Sequence, residues 1–137
     1  MRLDPKIWGP RYWFTIHNIC QNYPLTPNAV TKKKYYDFIQ NLPIFLPDHD
    51  IGDEFARILD KYPLGPYLET RDALCKWVHF IHNIINKKLN KPIISYEKYI
   101  LNYQSLTLDP SPSFLKKYIY IIIISLLIII IISISKK

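Results

Sequence analysis

The C-terminal stretch YIYIIIISLLIIIIISIS, residues 118–135, constrains the fold most, because it holds eighteen residues without a charge. A helix of that length spans about 27 Å, close to the thickness of a thin hydrocarbon core. Two lysines stand on each side of it, and Tyr118 and Tyr120 lie where an interfacial aromatic belt forms. In a small soluble domain a run this apolar would expose too much surface. We therefore predict a membrane-spanning helix over residues 118–135.

The position of this segment predicts a tail anchor. The N-terminal stretch MRLDPKIWGP lacks the apolar core of a signal peptide. We therefore expect the residues that precede the membrane span to lie on the cytosolic side. Lysines at both ends of the span leave its orientation open by the positive-inside rule. The stretch LDPSPS is typical of a linker. The predicted organisation is a helical domain over residues 1–107, a linker over 108–117 and the anchor over 118–135.

The charge of the chain narrows the class of partner. Eighteen Lys and Arg against eleven Asp and Glu give a net charge of +7, which suits nucleic acid or an anionic membrane. The lysines are scattered or flank apolar stretches, without an arginine-rich arm, so we predict no nucleic-acid partner.

The two cysteines, Cys20 and Cys75, lie far apart and match no zinc spacing. They are either two buried thiols, which we favour, or one disulfide.

Residues 1–107 are predicted to form short helices separated by prolines, without strand alternation. The sequence therefore predicts an all-α fold, a small helical bundle. The predicted boundaries are a first helix from near Pro10 to before Tyr23, a second over 32–42 capped by Thr26 or Thr31, a third from near Asp48 to Tyr62, a fourth from Thr70 to Asn90, and a fifth over 96–103 after Ser95.

Two stretches carry the candidate chemistry, WGPRYWFTIHNICQNYP over residues 8–24 and WVHFIHNIINKKLNKP over 77–92. In the second, His82, Asn83 and Asn86 interrupt an apolar helix face, and buried polar groups need partners. Several of them beside a tryptophan indicate a large ligand with an aromatic body, whose phosphates the following lysines would neutralise. A solvent-facing polar strip beside a core tryptophan explains the same spacing, and spacing alone favours that interpretation.

These stretches resemble the Erv/Alr family of FAD-dependent sulfhydryl oxidases. The family patterns W-x4-HN-x2-N-x2-L-x-KP and G-x3-W-x3-H-x5-YP are both present with their spacing, and the resemblance covers residues 8–103. It implies a four-helix bundle plus a short fifth helix that holds FAD noncovalently. By motif match, the implied cofactor-binding residues are Gly9, Trp13, His17, Tyr23, Trp77, His82, Asn83, Asn86, Lys88 and Lys91.

The resemblance also implies a redox motif that this chain lacks. In the family the third helix begins with P-C-x-x-C, whose thiolate passes electrons to the flavin and is favoured by the helix N-terminus. Here Asp48 and Ile51 occupy the cysteine positions, and sliding the alignment back puts Ile44 and Pro47 there instead. Neither register has a sulfur. The standard thiol-oxidase mechanism is therefore predicted to be absent.

The stretch LPDHDIGDEF around those positions holds four acidic residues and a histidine. Carboxylates at the start of a helix cap its free N–H groups and interact favourably with its dipole, and we favour that explanation. A metal site is the alternative, but the spacing fits neither an EF-hand loop nor a zinc pattern. We predict no metal.

We expect a membrane-anchored viral member of the family that is redox-inactive and acts as a structural or partner-binding component of a virion. The alternative is an active FAD-dependent thiol oxidase that uses Cys20 and Cys75, so enzymatic activity stays open. The expected partners are the membrane and a second subunit, in a homodimer or in a heterodimer with an active oxidase or a capsid protein. The expected location is a virion membrane or a host membrane derived from the endoplasmic reticulum.

Overall fold

The computed structural model describes residues 3–107 and 114–135, and every regular element in those ranges is a helix. This confirms the predicted all-α fold. The α-helices are α1 (Pro5–Gln21), α2 (Ala29–Asn41), α3 (His49–Lys61), α4 (Arg71–Lys88), α5 (Tyr96–Thr107) and α6 (Phe114–Ser135). Two short 3-10 turns, Leu42–Phe45 and Gly65–Tyr67, follow α2 and α3.

The first two helices begin earlier than the sequence predicted. Helix α1 starts at Pro5, where the carboxylate of Asp4 accepts a hydrogen bond from the backbone N–H of Lys6 at 2.9 Å. The predicted start near Pro10 was wrong, because Pro5 takes the first helical position and Pro10 lies inside the helix. Helix α2 is capped by Asn28, which accepts from the N–H of Thr31 at 2.8 Å. The predicted threonine caps were therefore also wrong.

The starts of α3 and α4 are confirmed. The Asp48 carboxylate accepts from the N–H of Ile51 at 3.2 Å, and the Thr70 hydroxyl accepts from the N–H of Ala73 at 3.1 Å. Each side chain satisfies one of the backbone donors that a helix leaves free at its first turn. Helix α3 ends at Lys61, directly before the Tyr62-Pro63 pair that was expected to stop it.

The described chain divides into two compact units, Met1–Tyr99 and Ile100–Lys137. The first unit has its core between α1 and α4, which pack against each other, with α2, α3 and the two turns around them. Buried apolar residues form this core: Ile16, Cys20, Tyr23, Ile39, Leu42, Phe55, Ile58, Leu59, Leu64, Leu68, Leu74, Cys75, Trp77, Val78 and Ile81.

Helix α3 approaches the turn Leu42–Phe45 so closely that only glycine fits at one position. A Cβ atom built on Gly52 would lie 2.5 Å from the backbone oxygen of Pro43. Backbone atoms cannot rotate away as a side chain can. Gly52 therefore fixes the distance between the first turns of α3 and the 3-10 turn that precedes it.

The second unit consists of the end of α5 and helix α6. Helix α5 runs to Thr107, four residues beyond its predicted end. The predicted linker falls partly on residues 108–113, which lie outside the described residues, and residues 114–117 form the first turn of α6. The span Tyr118–Ser135 has a mean hydropathy of 2.9 and no buried residue. By length and composition α6 is suited to crossing a membrane.

Candidate functional site

Aromatic rings from α1 and α4 meet in one cluster within the first unit. The Trp13 indole stacks on the His82 imidazole with ring centroids 4.0 Å apart and planes 8° apart. His17, one turn after Trp13, places its Nε2 atom 3.0 Å from Nδ1 of His82. Phe55 of α3 packs edge-on against Trp13, and Tyr99 of α5 lies 4.5 Å from the His17 ring. The motif residues Trp13, His17 and His82 are therefore brought together.

Both histidines of this cluster are neutral at physiological pH. Burial, with smaller contributions from the nearby His82 and His79, lowers the pKa of His17 to about 3. Burial also lowers the pKa of His82 to about 4, with added effects of His79 and Lys91. In a hydrogen bond between two neutral imidazoles, one ring nitrogen donates and the other accepts. The cluster thus offers aromatic faces and uncharged ring nitrogens.

Asn83 of α4 binds the backbone of the segment that follows this helix. Its amide nitrogen donates to the backbone oxygen of Ile94 at 2.9 Å, and its amide oxygen accepts from the N–H of Ile94 at 3.2 Å. His79, one turn earlier, places Nε2 2.8 Å from the same Ile94 oxygen. Together these contacts attach the segment after α4 to the helix, and that segment leads into α5 and Tyr99.

Asn86 and Lys91 take part in the termination of α4 through their backbones. The Lys91 N–H donates to the Asn86 oxygen at 2.8 Å, and the Asn90 N–H donates to the Lys87 oxygen at 3.2 Å. Asn90 adopts a φ of 52°, in the left-handed region. This pairing is a Schellman motif, in which asparagine replaces the usual glycine. The Asn86 side chain is buried, while that of Lys91 is exposed.

The remaining motif residues make their described contacts elsewhere in the first unit, away from the aromatic cluster. The Tyr23 hydroxyl is buried and donates to the Leu68 oxygen at 2.8 Å. Trp77 is buried with its ring 6.4 Å from that of Tyr67, and its indole N–H has no hydrogen-bond partner among the described residues. Lys88 forms an ion pair with Glu54 of α3. Gly9 is half-buried in α1, and a Cβ there would meet nothing within 4 Å.

The two cysteines are free thiols in the core, as predicted. Cys20 has no exposed surface, and Cys75 is 2% exposed. Burial, with the neighbouring Cys75, raises the pKa of the Cys20 thiol well above its ordinary range. Burial and then Asp72 raise the pKa of Cys75 to about 11, although Arg71 acts in the opposite direction. Because the thiolate is the reactive form, neither thiol is primed for exchange.

The acidic stretch at the start of α3 acts as a helix cap. Asp48 is buried and is the N-cap, and Ile51 donates its backbone N–H to the Asp48 carboxylate while its own side chain is half-buried. Asp50 and Asp53 are exposed. Among residues 3–107 and 114–135, no group of three His, Cys, Asp or Glu side chains is placed to hold a metal ion.

Tyr99 was missed by reasoning from the sequence, although it is buried and touches both His17 and His79. A signal was present, because Tyr96, Tyr99 and Tyr103 are spaced to share one face of a helix. Nothing in the local sequence shows which helix that face contacts. The attachment of Ile94 to α4 helps to determine which helix this tyrosine face contacts.

Comparison with solved structures defines the class of fold. The chain is similar to a crystal structure of the yeast Erv1 core, with a TM-score of 0.69, 23% identity, and coverage of 78% of this chain and 88% of that one. A crystal structure of the FAD binding domain of Erv1 from Saccharomyces cerevisiae also has a TM-score of 0.69 at 23% identity, and covers 75% of this chain and 96% of that one. The fold is thus that of the Erv1-type helical bundle.

The sequence comparison identifies the family. A profile of the Erv1 / Alr family matches residues 10–104, and the chain belongs to that family. A probable FAD-linked sulfhydryl oxidase of Acanthamoeba polyphaga mimivirus is 32% identical over 72% of this chain and 69% of its own length. The FAD-linked sulfhydryl oxidase of African swine fever virus (isolate Tick/Malawi/Lil 20-1/1983) is 32% identical over 74% and 84%. A putative one of Invertebrate iridescent virus 3 is 28% identical over 76% and 70%.

Proposed function

We propose that this chain is a membrane-anchored, FAD-binding member of the family that lacks thiol-oxidase activity and acts as a structural or partner-binding component of a virion. The observation that carries the proposal is the state of its cysteines. The sequence has no Cys-x-x-Cys anywhere, and both of its cysteines are buried in the core. A protein substrate needs an accessible thiolate to exchange disulfides.

The residues fit a flavin cofactor. Trp13, His17 and His82 supply aromatic faces and neutral nitrogens, and the buried indole N–H of Trp77 is a donor for which a ligand acceptor would be a partner. Lys91, exposed at the end of α4, would neutralise a phosphate. When bound, FAD would supply a redox-active ring system. The chain's own residues would bind and orient it.

The anchor and the partners follow from the same proposal. Helix α6 would hold the domain at a virion membrane or at a host membrane derived from the endoplasmic reticulum, with residues 1–107 on the cytosolic side. Relatives in three viruses support the viral setting. The partner would be a second copy, an active oxidase or a capsid protein.

The first test is the near-ultraviolet and visible absorbance spectrum of the full chain purified in detergent. We expect flavin bands, and we expect Trp13→Ala to lose them while Tyr36→Ala, at an exposed ring on α2, keeps them. A colourless preparation with a helical circular dichroism spectrum would contradict the cofactor assignment and leave the fold intact.

The second test addresses activity. We expect that dithiothreitol leaves the bound flavin oxidised in the absence of oxygen and causes no oxygen uptake in its presence. The alternative function is an active oxidase, in which two thiols and O2 give a disulfide and H2O2 through Cys20 and Cys75. It predicts oxygen uptake that both Cys20→Ser and Cys75→Ser abolish, and such a result would overturn the proposal.

A further inference from the structure

We propose that the exposed face of α1 is a second membrane contact, which docks on the surface of an anionic lipid bilayer. This face, here called the α1 outer face, consists of exposed side chains that line one shallow surface groove: Lys6, Ile7, Pro10, Arg11, Phe14 and Thr15. The inference rests on the proposed membrane setting and deepens it, because it identifies the lipids that the helical domain contacts. None of the six residues belongs to the aromatic cluster of Trp13, His17 and His82.

Helix α1 carries apolar side chains on two faces, and the core covers one of them. The buried residues of the helix are Ile16, His17 and Cys20. On the second face, Ile7, Pro10 and Phe14 follow the i, i+3, i+7 spacing of a helical stripe and are exposed. Ile7 is 62% exposed and Phe14 is 43% exposed. An apolar stripe that faces water on a surface helix marks an interaction site.

Two basic side chains flank this stripe. At about 100° per residue, Lys6 and Arg11 lie roughly 70° to either side of its centre. Both are exposed, and neither forms an ion pair within residues 3–107 and 114–135. Asp4, the N-cap, is the one carboxylate among residues 3–21. The turn Leu42–Phe45, which contacts α1, has no charged residue. The face is therefore apolar along its middle and basic at its edges.

This pattern matches the surface of an anionic bilayer. A helix with an apolar stripe between basic side chains lies in the plane of the bilayer interface. Its apolar residues enter the boundary of the acyl chains, while the long basic side chains extend to the lipid phosphates. The cytosolic leaflet, beside which residues 1–107 are proposed to lie, is the leaflet that carries anionic lipids. A chain anchored by α6 would hold its helical domain near that leaflet at a high effective concentration.

The same charges disfavour a second copy of the chain as the occupant. In a two-fold symmetric dimer, a surface patch meets its own copy. Lys6 and Arg11 would then meet two further cations, with only the cap residue Asp4 to balance them. Like charges placed together at an interface oppose association. An anionic lipid surface, in contrast, complements both basic side chains.

The test uses the full chain in nanodiscs that hold one chain each, so that no second copy is available. Thr15→Cys, at the edge of the face, carries an NBD fluorophore, and lipids with a nitroxide near the headgroup quench it when the α1 outer face contacts the bilayer. Cys20 and Cys75 are buried, and the parent chain measures any labelling of them. We expect strong quenching in phosphatidylcholine mixed with phosphatidylserine, and weak quenching in phosphatidylcholine alone.

The quenched fraction gives the ratio of docked to undocked chains in each variant. We expect Lys6→Gln/Arg11→Gln to lower this ratio roughly thirtyfold, since each basic side chain near an anionic surface contributes roughly fivefold. Ile7→Ser is expected to lower it roughly tenfold, because the apolar contact is lost.

Each variant has a matched control. Lys34→Gln/Lys98→Gln removes the same charge from exposed lysines on α2 and α5. Val30→Ser changes an apolar residue of α2 that is 66% exposed, close to the value for Ile7. Both controls are expected to stay within about twofold of the wild type, because charges beyond a Debye length of the bilayer are screened.

Equal quenching in the two lipid mixtures would overturn the inference, and so would equal quenching in Lys6→Gln/Arg11→Gln and its control. A dimer in detergent that Ile7→Ser dissociates would also overturn it, because a second copy would then cover the face. Incorporation into phosphatidylcholine nanodiscs reports on the proposed anchor, and the flavin spectrum and dithiothreitol response report on the rest of the proposed function. Failure of the lipid contact is therefore distinguishable from failure of that function.

Discussion

Gly52 lies where α3 and the turn Leu42–Phe45 approach so closely that a side chain has no room. A helical Gly→Ala change ordinarily stabilises a protein by up to about 1 kcal/mol. At position 52 the added Cβ would lie 2.5 Å from the backbone oxygen of Pro43, so α3 and the turn must separate. We expect Gly52→Ala to lower the free energy of unfolding by about 1–3 kcal/mol, as overpacking does. Urea denaturation followed by circular dichroism measures this.

Gly9→Ala is the control for that change, because Gly9 also lies inside a helix and has open space around its Cβ position. We expect a small gain in stability there. If the two substitutions changed the free energy of unfolding in the same direction, the close approach would not control the stability of α3.

At the scale of elements, the contact between α1 and α4 gives a pH dependence with a definite sign. His17 and His82 have ordinary pKa values of 6.5 and values of about 3 and about 4 in the folded chain. Below pH 6.5 the unfolded chain therefore binds protons that the folded chain does not. We expect the free energy of unfolding to fall as the pH decreases from 6.5 towards 4, by up to about 1.4 kcal/mol per pH unit for each imidazole.

Denaturation at a series of pH values measures this slope in the wild type and in variants. Removing one imidazole in His82→Gln is expected to reduce the slope, and the double change His17→Gln/His82→Gln to reduce it further. The comparison uses slopes rather than absolute stabilities, so a general loss of packing does not affect it. An unchanged slope in the double variant would show that other groups cause the pH dependence.

Asn83 and His79 of α4 both bond to the backbone of Ile94, in the segment before α5, and the contribution of Asn83 to this attachment is testable. Asn83→Ala removes two hydrogen bonds to the Ile94 backbone, at 2.9 and 3.2 Å. We expect a loss of about 1–3 kcal/mol and faster hydrogen exchange at the Ile94 amide. Asn83→Asp keeps the acceptor for the Ile94 N–H but loses the donor to its oxygen, so its effect is expected to be intermediate.

Asn22→Ala is a suitable control, since the Asn22 amide donates to the Asn18 oxygen on an exposed surface. We expect it to change stability by less than about 0.5 kcal/mol. Equal hydrogen exchange at Ile94 in Asn83→Ala and wild type would mean that His79 alone holds the segment.

The sequence predicted those elements whose ends are determined locally. Asp48 and Thr70 cap α3 and α4 as expected, because a capping side chain and the backbone N–H that it binds lie only three residues apart in the sequence. The start of α1 was misplaced because two prolines competed for the first helical position, and sequence does not rank them. The 3-10 turn Leu42–Phe45 depends on its contact with Gly52, which no local pattern contains.

The sequence predicted some residues of the candidate site but not the contacts that they make. The motifs identified Trp13, His17 and His82, and the fold brings them together because α1 and α4 pack against each other. They did not reveal that Asn83 binds the backbone of Ile94 or that Lys88 pairs with Glu54. Those contacts join residues distant in sequence, so they depend on the tertiary structure. A motif therefore specifies residue types more reliably than it specifies each residue's partner.

At the scale of the whole molecule, the proposed anchor predicts that the effect of a charge depends on its depth in α6. A lysine at the centre of a spanning helix costs roughly 2.5–3.5 kcal/mol, whereas one near an end extends its amine to the interface at little cost. We compare Ile123→Lys/Leu127→Lys, near the middle of Tyr118–Ser135, with Ile119→Lys/Ile134→Lys, near its ends. The two double variants have the same composition and the same charge.

We expect carbonate extraction of membranes to release the central double variant and to leave the terminal one and the wild type in the membrane pellet. The central pair costs roughly 5–7 kcal/mol, which is comparable to the summed gain from the apolar residues of such a span. If α6 were instead buried in a protein core, all four positions would face apolar neighbours. Both double variants would then respond alike. Equal release of both double variants would therefore count against a transmembrane α6, and retention of both would show that the charges do not reach the bilayer centre.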